Sequence, residues 1–360
     1  MSRLLNTTPR QDGFRIPAES DSHDACWMLF PFRPDVWREN ARPAQAAFAR
    51  VTAAISQFEP VIMGVKPGYE AIARQIVPQN IKIVSLEYDD CWMRDTGASF
   101  VVNDRGELRG VEWGFNAWGG LYASWENDEA VARQMLEMTG ADRYQADFVL
   151  EGGSIDYDGD GTLYTTAECL LNPNRNPHLS QSEIEQRLQD YANVEKVIWL
   201  NRGVYEDETS GHIDNLCRVV RPGEVVLTWT NDRYDPQYEI SQEVHDHLMS
   251  ETDAKGRKIR VHKIHQPDPM FITEVESQGI EAVKDSHPRR TGQRLAASYV
   301  NFYVANSGVI VPQFDDSHDH DALQVLQDCF PGHQIVGVPG REILLGGGNI
   351  HCITQQQPCP

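Results

Sequence analysis

The stretch RPAQAAFARVTAAISQFEPVIMGV, residues 42 to 65, decides the fold class. Over 42–58, Ala, Phe, Val and Ile recur at helical spacing, and Pro60 closes the segment. Residues 60–65 then read as a short buried strand, followed by a second helical stretch from Tyr69. A helix feeding directly into an apolar strand is the unit of an α/β protein. Outward from it the alternation continues. Strands are predicted at 81–86 and 99–102, the latter ending in a turn at Asn103-Asp104-Arg105-Gly106. A helix over 181–191 with Ser180 as its cap precedes a strand over 194–200. Further strands are predicted at 225–229, 299–304 and 308–311, and a helix at 321–330.

No Gly/Ser linker or charge run interrupts this pattern, so residues 1–360 are expected to form one α/β domain. Polar motifs begin near Trp92, Glu151, His212 and Asn349, with comparable gaps between the first three. A radially repeated architecture produces such spacing.

Composition excludes several classes. Hydrophobic residues make up 40% and charged residues 24% of 360, ordinary for a globular chain. The balance of 32 basic against 53 acidic residues gives −21, which leaves nucleic acid and anionic membrane as poor partners. Such a surface either favours a cationic ligand or serves solubility. No stretch has the apolar length of a membrane span, and MSRLLNTTPRQDGFRIP lacks the pattern of a secretory signal. Seven scattered cysteines without CxxC pairing read as reduced thiols of a cytoplasmic protein.

Four segments combine polar residues with glycine. In Leu345-Gly-Gly-Gly-Asn-Ile-His-Cys352, three glycines let a ligand approach the backbone closely and Cys352 is placed to present a thiolate. A lone cysteine after a glycine turn is more often a small buried hydrophobe; its company reverses the choice. In Thr209-Ser-Gly-His212-Ile-Asp214-Asn215, His212 and Asp214 are expected on one face of an extended strand, as proton carrier and carboxylate partner. A surface His–Asp pair is the plainer reading, but Glu206, Asp207 and Glu208 upstream favour a cation site. In Asp90-Cys-Trp-Met-Arg94-Asp95-Thr96-Gly97, Asp95 can accept two parallel hydrogen bonds from a guanidinium, and Trp92, expected on an extended segment, can wall the site. An internal Arg94–Asp95 pair is the competing account. In Leu150-Glu151-Gly-Gly-Ser154, Glu151 can contact substrate or hold His212, although a hairpin or bulge uses the same glycines. Attack on a guanidinium carbon needs a strong nucleophile, carboxylates to fix the nitrogens and a proton donor for ammonia, and this set supplies all three.

These segments, with WMRDTG, WGFNAWGG, LEGGSI, LLNPNRNPHLS, DETSGHIDN, LAASYVNFYVAN and EILLGGGNIHCITQQQP in this order, resemble the agmatine deiminase family of the guanidine-modifying (pentein) superfamily over nearly the whole chain. The resemblance implies a five-bladed α/β propeller of ββαβ units around a central channel, with no metal or organic cofactor. It implies Cys352 as nucleophile, His212 as general acid and base, Asp95 and Asp214 as guanidinium ligands and Glu151 as their support. Trp92, Trp118 and Gly347 are implied in substrate binding, and Glu208 as partner of the far amine. The implied reaction converts agmatine to N-carbamoylputrescine and ammonia through an S-alkylthiouronium intermediate, in polyamine biosynthesis or agmatine degradation. Relatives imply a homo-oligomer, dimeric or larger. Two departures stand out: Ala98 replaces the usual proline after WMRDTG, and the segment Leu121-Tyr122-Ala123-Ser124-Trp125 is a few residues short at the expected border of the channel.

Other readings are weaker. Asp156, Asp158 and Asp160 with Gly161 open like a calcium loop, but Ala167 stands at the closing position and the flanks read as strands, so a hairpin turn at 158–161 is expected. His318 with His320, and His262 with His265, lack a third zinc-ligand cluster. The glycines 346–348 precede no Lys-Ser/Thr pair and form no phosphate loop. Competing functions are a deiminase for free or peptidyl arginine, and a non-catalytic guanidine- or polyamine-binding protein.

Overall fold

The computed structural model describes residues 2–284 and 286–360. It is built on five small sheets. In four of them an inner strand turns back antiparallel to a middle strand, and a helix then leads to a third, parallel strand. Ser99–Val102 starts one such unit, Ile155–Tyr157 the next, Cys217–Arg221 the third and Tyr303–Ala305 the fourth. Their crossover helices include Val131–Thr139, Gln181–Ala192, Gln237–Ser250 and Asp319–Cys329. In the fifth sheet the middle strand is His23–Leu29, which runs through helix Arg42–Ile55 into Val61–Val65. Its inner strand comes from the far end of the chain: Gln355–Pro358 pairs antiparallel with His23–Leu29, setting Gln355 opposite Trp27 and Gln356 opposite Cys26.

Side chains and backbone stitch neighbouring sheets into a closed ring. Arg94 N donates to the Cys352 carbonyl (3.1 Å) and Gly153 N to Asp95 Oδ1 (2.9 Å). Val219 N donates to Asp156 Oδ2 and Arg218 Nη1 to the Phe302 carbonyl (2.8 Å). His23 N closes the circuit on Asn306 Oδ1 (2.7 Å). The helices line the outside, each burying one apolar stripe on its sheet. Arg42–Ile55 buries Ala44, Ala47, Phe48, Val51, Ala54 and Ile55, the spacing that predicted it.

Helix and strand order matched the sequence reading, with boundaries shifted by a few residues. Ser180 caps Gln181–Ala192 in a reciprocal capping box with Glu183. The Asp158 turn is a hairpin between antiparallel strands; Asp158 Oδ1 accepts from Asp160 N and Thr162 N, while Asp156 and Asp160 pair separately with Arg218 and Arg257. One expected strand, 299–304, starts late, at Tyr303. Residues before it form a turn, because Val300 N bonds to Ser298 Oγ and the Asn301 side chain takes the backbone of His351. Among the described residues, no helix is long and apolar enough to cross a membrane, and all seven cysteines are free.

Candidate active site

Each inner strand is preceded by a tight turn, and these turns converge at the centre of the ring. Asp95 lies on Met93–Thr96, Glu151 just before Gly152–Ser154, and His212 and Asp214 at Ile213–Leu216. Asn301 precedes Tyr303–Ala305, and Cys352 precedes Gln355–Pro358. Five repeats thus deliver polar groups to one point. This corrects the expectation that His212 and Asp214 share the face of an extended strand, and that Trp92 lies on an extended segment. His212 and Trp92 instead stand at the starts of helical turns. Glycine makes the convergence possible: a Cβ at Gly153 would lie 2.7 Å from His212 Nδ1, 2.8 Å from Asp95 Oδ1 and 3.0 Å from Asp214 Oδ2.

The Cys352 thiol is 5% exposed and receives Asn301 Nδ2 at 3.2 Å, with Asp214 Oδ2 at 3.6 Å. Burial pushes the thiol well above its ordinary range, and the carboxylates of Asp214 and Asp95 push it further. Asp95 accepts from Trp118 Nε1 (2.8 Å) at one oxygen and from Gly153 N at the other. Burial raises the Asp95 carboxyl to about 6, His212 opposing and Asp214 reinforcing the shift. Asp214 Oδ2 is held by His351 Nδ1 at 2.7 Å, and its Oδ1 is buried without a partner. Burial would raise Asp214, but His351 keeps it below the usual carboxylate range.

His212 lies 3.8 Å from Asp95 Oδ1 through Nδ1 and 3.7 Å from Glu151 Oε2 through Nε2, and neither nitrogen makes a hydrogen bond. Burial opposes its charge; the Asp95 carboxylate, with Cys169 and Glu151, outweighs burial and raises it well above 6.5. Glu151 is fully buried and bound by Arg175 Nε at 2.6 Å, so it belongs to an internal ion pair beside His212.

A small pocket opens onto Asp95 and Cys352, lined besides by Trp92, Trp118, Leu121, Tyr122, Glu208, Thr209, Gly347 and Gly348. Trp92 is packed on Trp37, ring centroids 5.4 Å apart. Leu121 and Tyr122 show that the shortened segment does border the pocket. At Gly347, φ is +109° and any side chain would collide with the Glu208 carboxylate. Of the acidic run, only Glu208 reaches the pocket: Glu206 is exposed, and Asp207 accepts from Thr209 and Asn215 within its own loop. Glu208 is itself paired. Arg289 Nη2 donates to its Oε1 at 2.7 Å, and Arg289 Nη1 to its Oε2.

Sequence reasoning missed the layer beneath. Glu19 accepts from His351 Nε2 (2.8 Å), Arg94 Nη2 (3.1 Å), Arg218 Nη2 (2.9 Å) and Val304 N (2.9 Å). Burial would raise Glu19, but Arg218, His351 and Arg94 hold it well below the usual range. With carboxylate acceptors at both nitrogens, His351 is satisfied only by donating from both. Arg94 therefore faces Glu19 and not Asp95, which overturns the internal Arg94–Asp95 pair. Asn301, at the fourth of the five turns, was not among the polar motifs read from the sequence, although LAASYVNFYVAN contains it; Glu19 carried no motif. The histidine pairs form no metal centre: His265 stacks on His318 at 4.0 Å between centroids, His262 meets Glu224 and His320 is exposed.

Five blades around a thiol, an imidazole and two carboxylates define the pentein class of α/β propellers. The chain belongs to the family described as Porphyromonas-type peptidyl-arginine deiminase, whose model matches residues 15–358, and within it to the agmatine deiminases. It is 56% identical over 360 residues to the agmatine deiminase of Pseudomonas aeruginosa strain LESB58, covering 98% of each chain. The structure of an agmatine deiminase from Enterococcus faecalis superposes with a TM-score of 0.97 at 46% identity, covering both chains fully. A variant agmatine deiminase from C. jejuni with substrate bound is more distant, at 26% identity and a TM-score of 0.84, covering 96% of each chain.

Proposed function

We propose that the chain hydrolyses agmatine to N-carbamoylputrescine and ammonia, with Cys352 as nucleophile. The observation that carries this reading is that Cys352 and Asp95 line one small pocket together with a third group, the Glu208 carboxylate, while Asp214 and His212 stand directly behind the first two. The guanidinium would lie between Asp95 and Asp214, whose free lone pairs accept its N–H groups. In doing so it brings positive charge beside a thiol that those same carboxylates keep protonated, so substrate binding itself favours the thiolate, the thiol proton passing to solvent. Sulfur then bonds to the guanidinium carbon. The C–N bond breaks as His212 protonates the departing ammonia, leaving an S-alkylthiouronium adduct. His212, now neutral, takes a proton from water, which attacks the same carbon; the C–S bond breaks and the thiolate is restored. Glu151, held by Arg175, and Asp95 favour the protonated imidazole that the first half needs.

Agmatine is favoured over arginine because Glu208 suits a distal amine and because relatives above 50% identity bear that substrate's name. One observation supports a second reading: Arg289, on Glu208, is the cation that the α-carboxylate of free arginine requires. Both its terminal nitrogens are engaged by Glu208, which leaves agmatine the stronger assignment. We further propose that residues 1–360 act as one folding unit, since all five blades contribute to the site. The chain is assigned to the cytoplasm, as a homo-oligomer in polyamine or agmatine metabolism. The test is ammonia release from agmatine, arginine and a blocked peptidyl arginine side by side. Strong preference for agmatine is expected; activity confined to the arginine substrates would overturn the assignment.

A further inference from the structure

Beside the pocket lies a group of side chains that the reaction above only half uses. Glu151, Cys169 and His212 are all completely buried, and one ligating atom from each falls within 4.8 Å of the others. Glu151 Oε2 is 3.7 Å from His212 Nε2 and 4.0 Å from Cys169 Sγ. Tetrahedral zinc with arms of about 2.0–2.3 Å sets its ligand atoms roughly 3.3–3.8 Å apart. Of the two spacings given, one falls within that range and the other exceeds it by a few tenths of an ångström, while the third pair lies within 4.8 Å. His212 Nε2 is buried without any hydrogen-bond partner and aimed into the group. Arg175 binds the other oxygen of Glu151, so Oε2 is left for the ion. Thiolate, imidazole and carboxylate together form a borderline-soft donor set that suits zinc and not magnesium or calcium.

We infer that Cys169, His212 and Glu151 form an inhibitory zinc site, one that removes His212 from the reaction when filled. Cys169 gives up its thiol proton and His212 its imidazolium proton to solvent as the metal–sulfur and metal–nitrogen bonds form. Asp95, which lines the pocket, is 3.8 Å from the other nitrogen of His212, so the group lies one residue behind the pocket wall. Binding follows from the geometry alone; the inhibitory consequence rests on the role proposed for His212.

Cobalt(II) separates the two, because a thiolate–cobalt bond gives a charge-transfer absorption independent of turnover. The full-length Cys352→Ser variant, which lacks the nucleophile's sulfur, is expected to develop that band with one equivalent of cobalt. The double variant Cys352→Ser/Cys169→Ser is expected to show none. In the Cys352-containing enzyme, zinc should inhibit agmatine turnover, chelator should restore it, and Cys169→Ser should need at least about tenfold more zinc. Cys169→Ala serves if the serine variant folds poorly. Absence of the band in Cys352→Ser, or equal zinc sensitivity without Cys169, would overturn the site. A band without inhibition would keep the site and instead remove His212 from the reaction.

Discussion

Arg289 grips Glu208 with both terminal nitrogens and also donates to the Gly346 carbonyl, tying the far wall of the pocket to the glycine turn that precedes Cys352. The carboxylate proposed to meet a substrate amine is therefore already oriented by the protein. Glu208→Gln should raise the KM for agmatine by roughly 10- to 100-fold, the loss of one charge-assisted hydrogen bond. Butylguanidine, which has no distal amine, should be affected less than about threefold. Equal effects on both substrates would show that Glu208 only supports the fold.

Cys352→Ser should abolish turnover and leave the fold unchanged, because a serine hydroxyl can bond the same Asn301 and Asp214 side chains as the sulfur but is a far poorer nucleophile. Calorimetry should still detect agmatine binding to this variant. Residual turnover comparable to wild type would exclude the sulfur from the mechanism.

Asp95 titrates at about 6 in the free protein, above the ordinary aspartate range, so it becomes neutral as pH falls through that value. Neutral Asp95 can no longer hold a guanidinium. The kcat/KM profile should accordingly fall on its acid side with a midpoint at about 6, since this ratio reports free-enzyme groups. An acid limb at about 4, the ordinary aspartate value, would place Asp95 outside the titration.

Glu19 has the opposite shift. Its folded value is depressed, so its stabilising contribution is present above the unfolded glutamate value and is lost as pH falls through the folded one. Its loss is confined to pH below about 4.3, the unfolded reference. At neutral pH, Glu19→Gln leaves Arg94, Arg218 and His351 without their shared anion and should cost about 3–5 kcal/mol. Denaturant melts at neutral pH and at about pH 3 should show this difference shrinking in acid; a constant difference would mean that Glu19 acts through shape alone.

Deleting residues after Gln355 removes most of the strand paired with His23–Leu29, along with Gln356 Oε1, which binds Arg94 Nη1 at 2.8 Å. Both activity and thermal stability should fall sharply. A truncated chain that melts like the full one would show the ring closing without this strand.

Much of the site was legible because its residues sit in glycine-rich turns that stand out from ordinary strands: Cys352 after 346–348, Asp95 before Gly97, Glu151 before Gly152. The alternation around 42–65 pointed to the α/β class, while five-fold closure came from family resemblance, since spacing alone displayed only four of five turns. Turn geometry was misread at His212 because two residues on one face of a strand and two at the start of a helical turn have the same spacing in sequence. Glu19 and Arg289 were invisible for a physical reason. Each acts through partners remote in the chain, Glu19 with His351 and Arg289 with Glu208, and neither lies in a motif of its own.

The pairing of Gln355–Pro358 with His23–Leu29 has a consequence for how the protein is made. The strand that emerges early from the ribosome waits, with one edge open, for a partner synthesised more than three hundred residues later. Cys352 is made immediately before that partner. A nascent chain that has passed Asp214 but not reached residue 352 carries Asp95, His212 and Asp214 without the thiol proposed as nucleophile, and is expected to lack turnover.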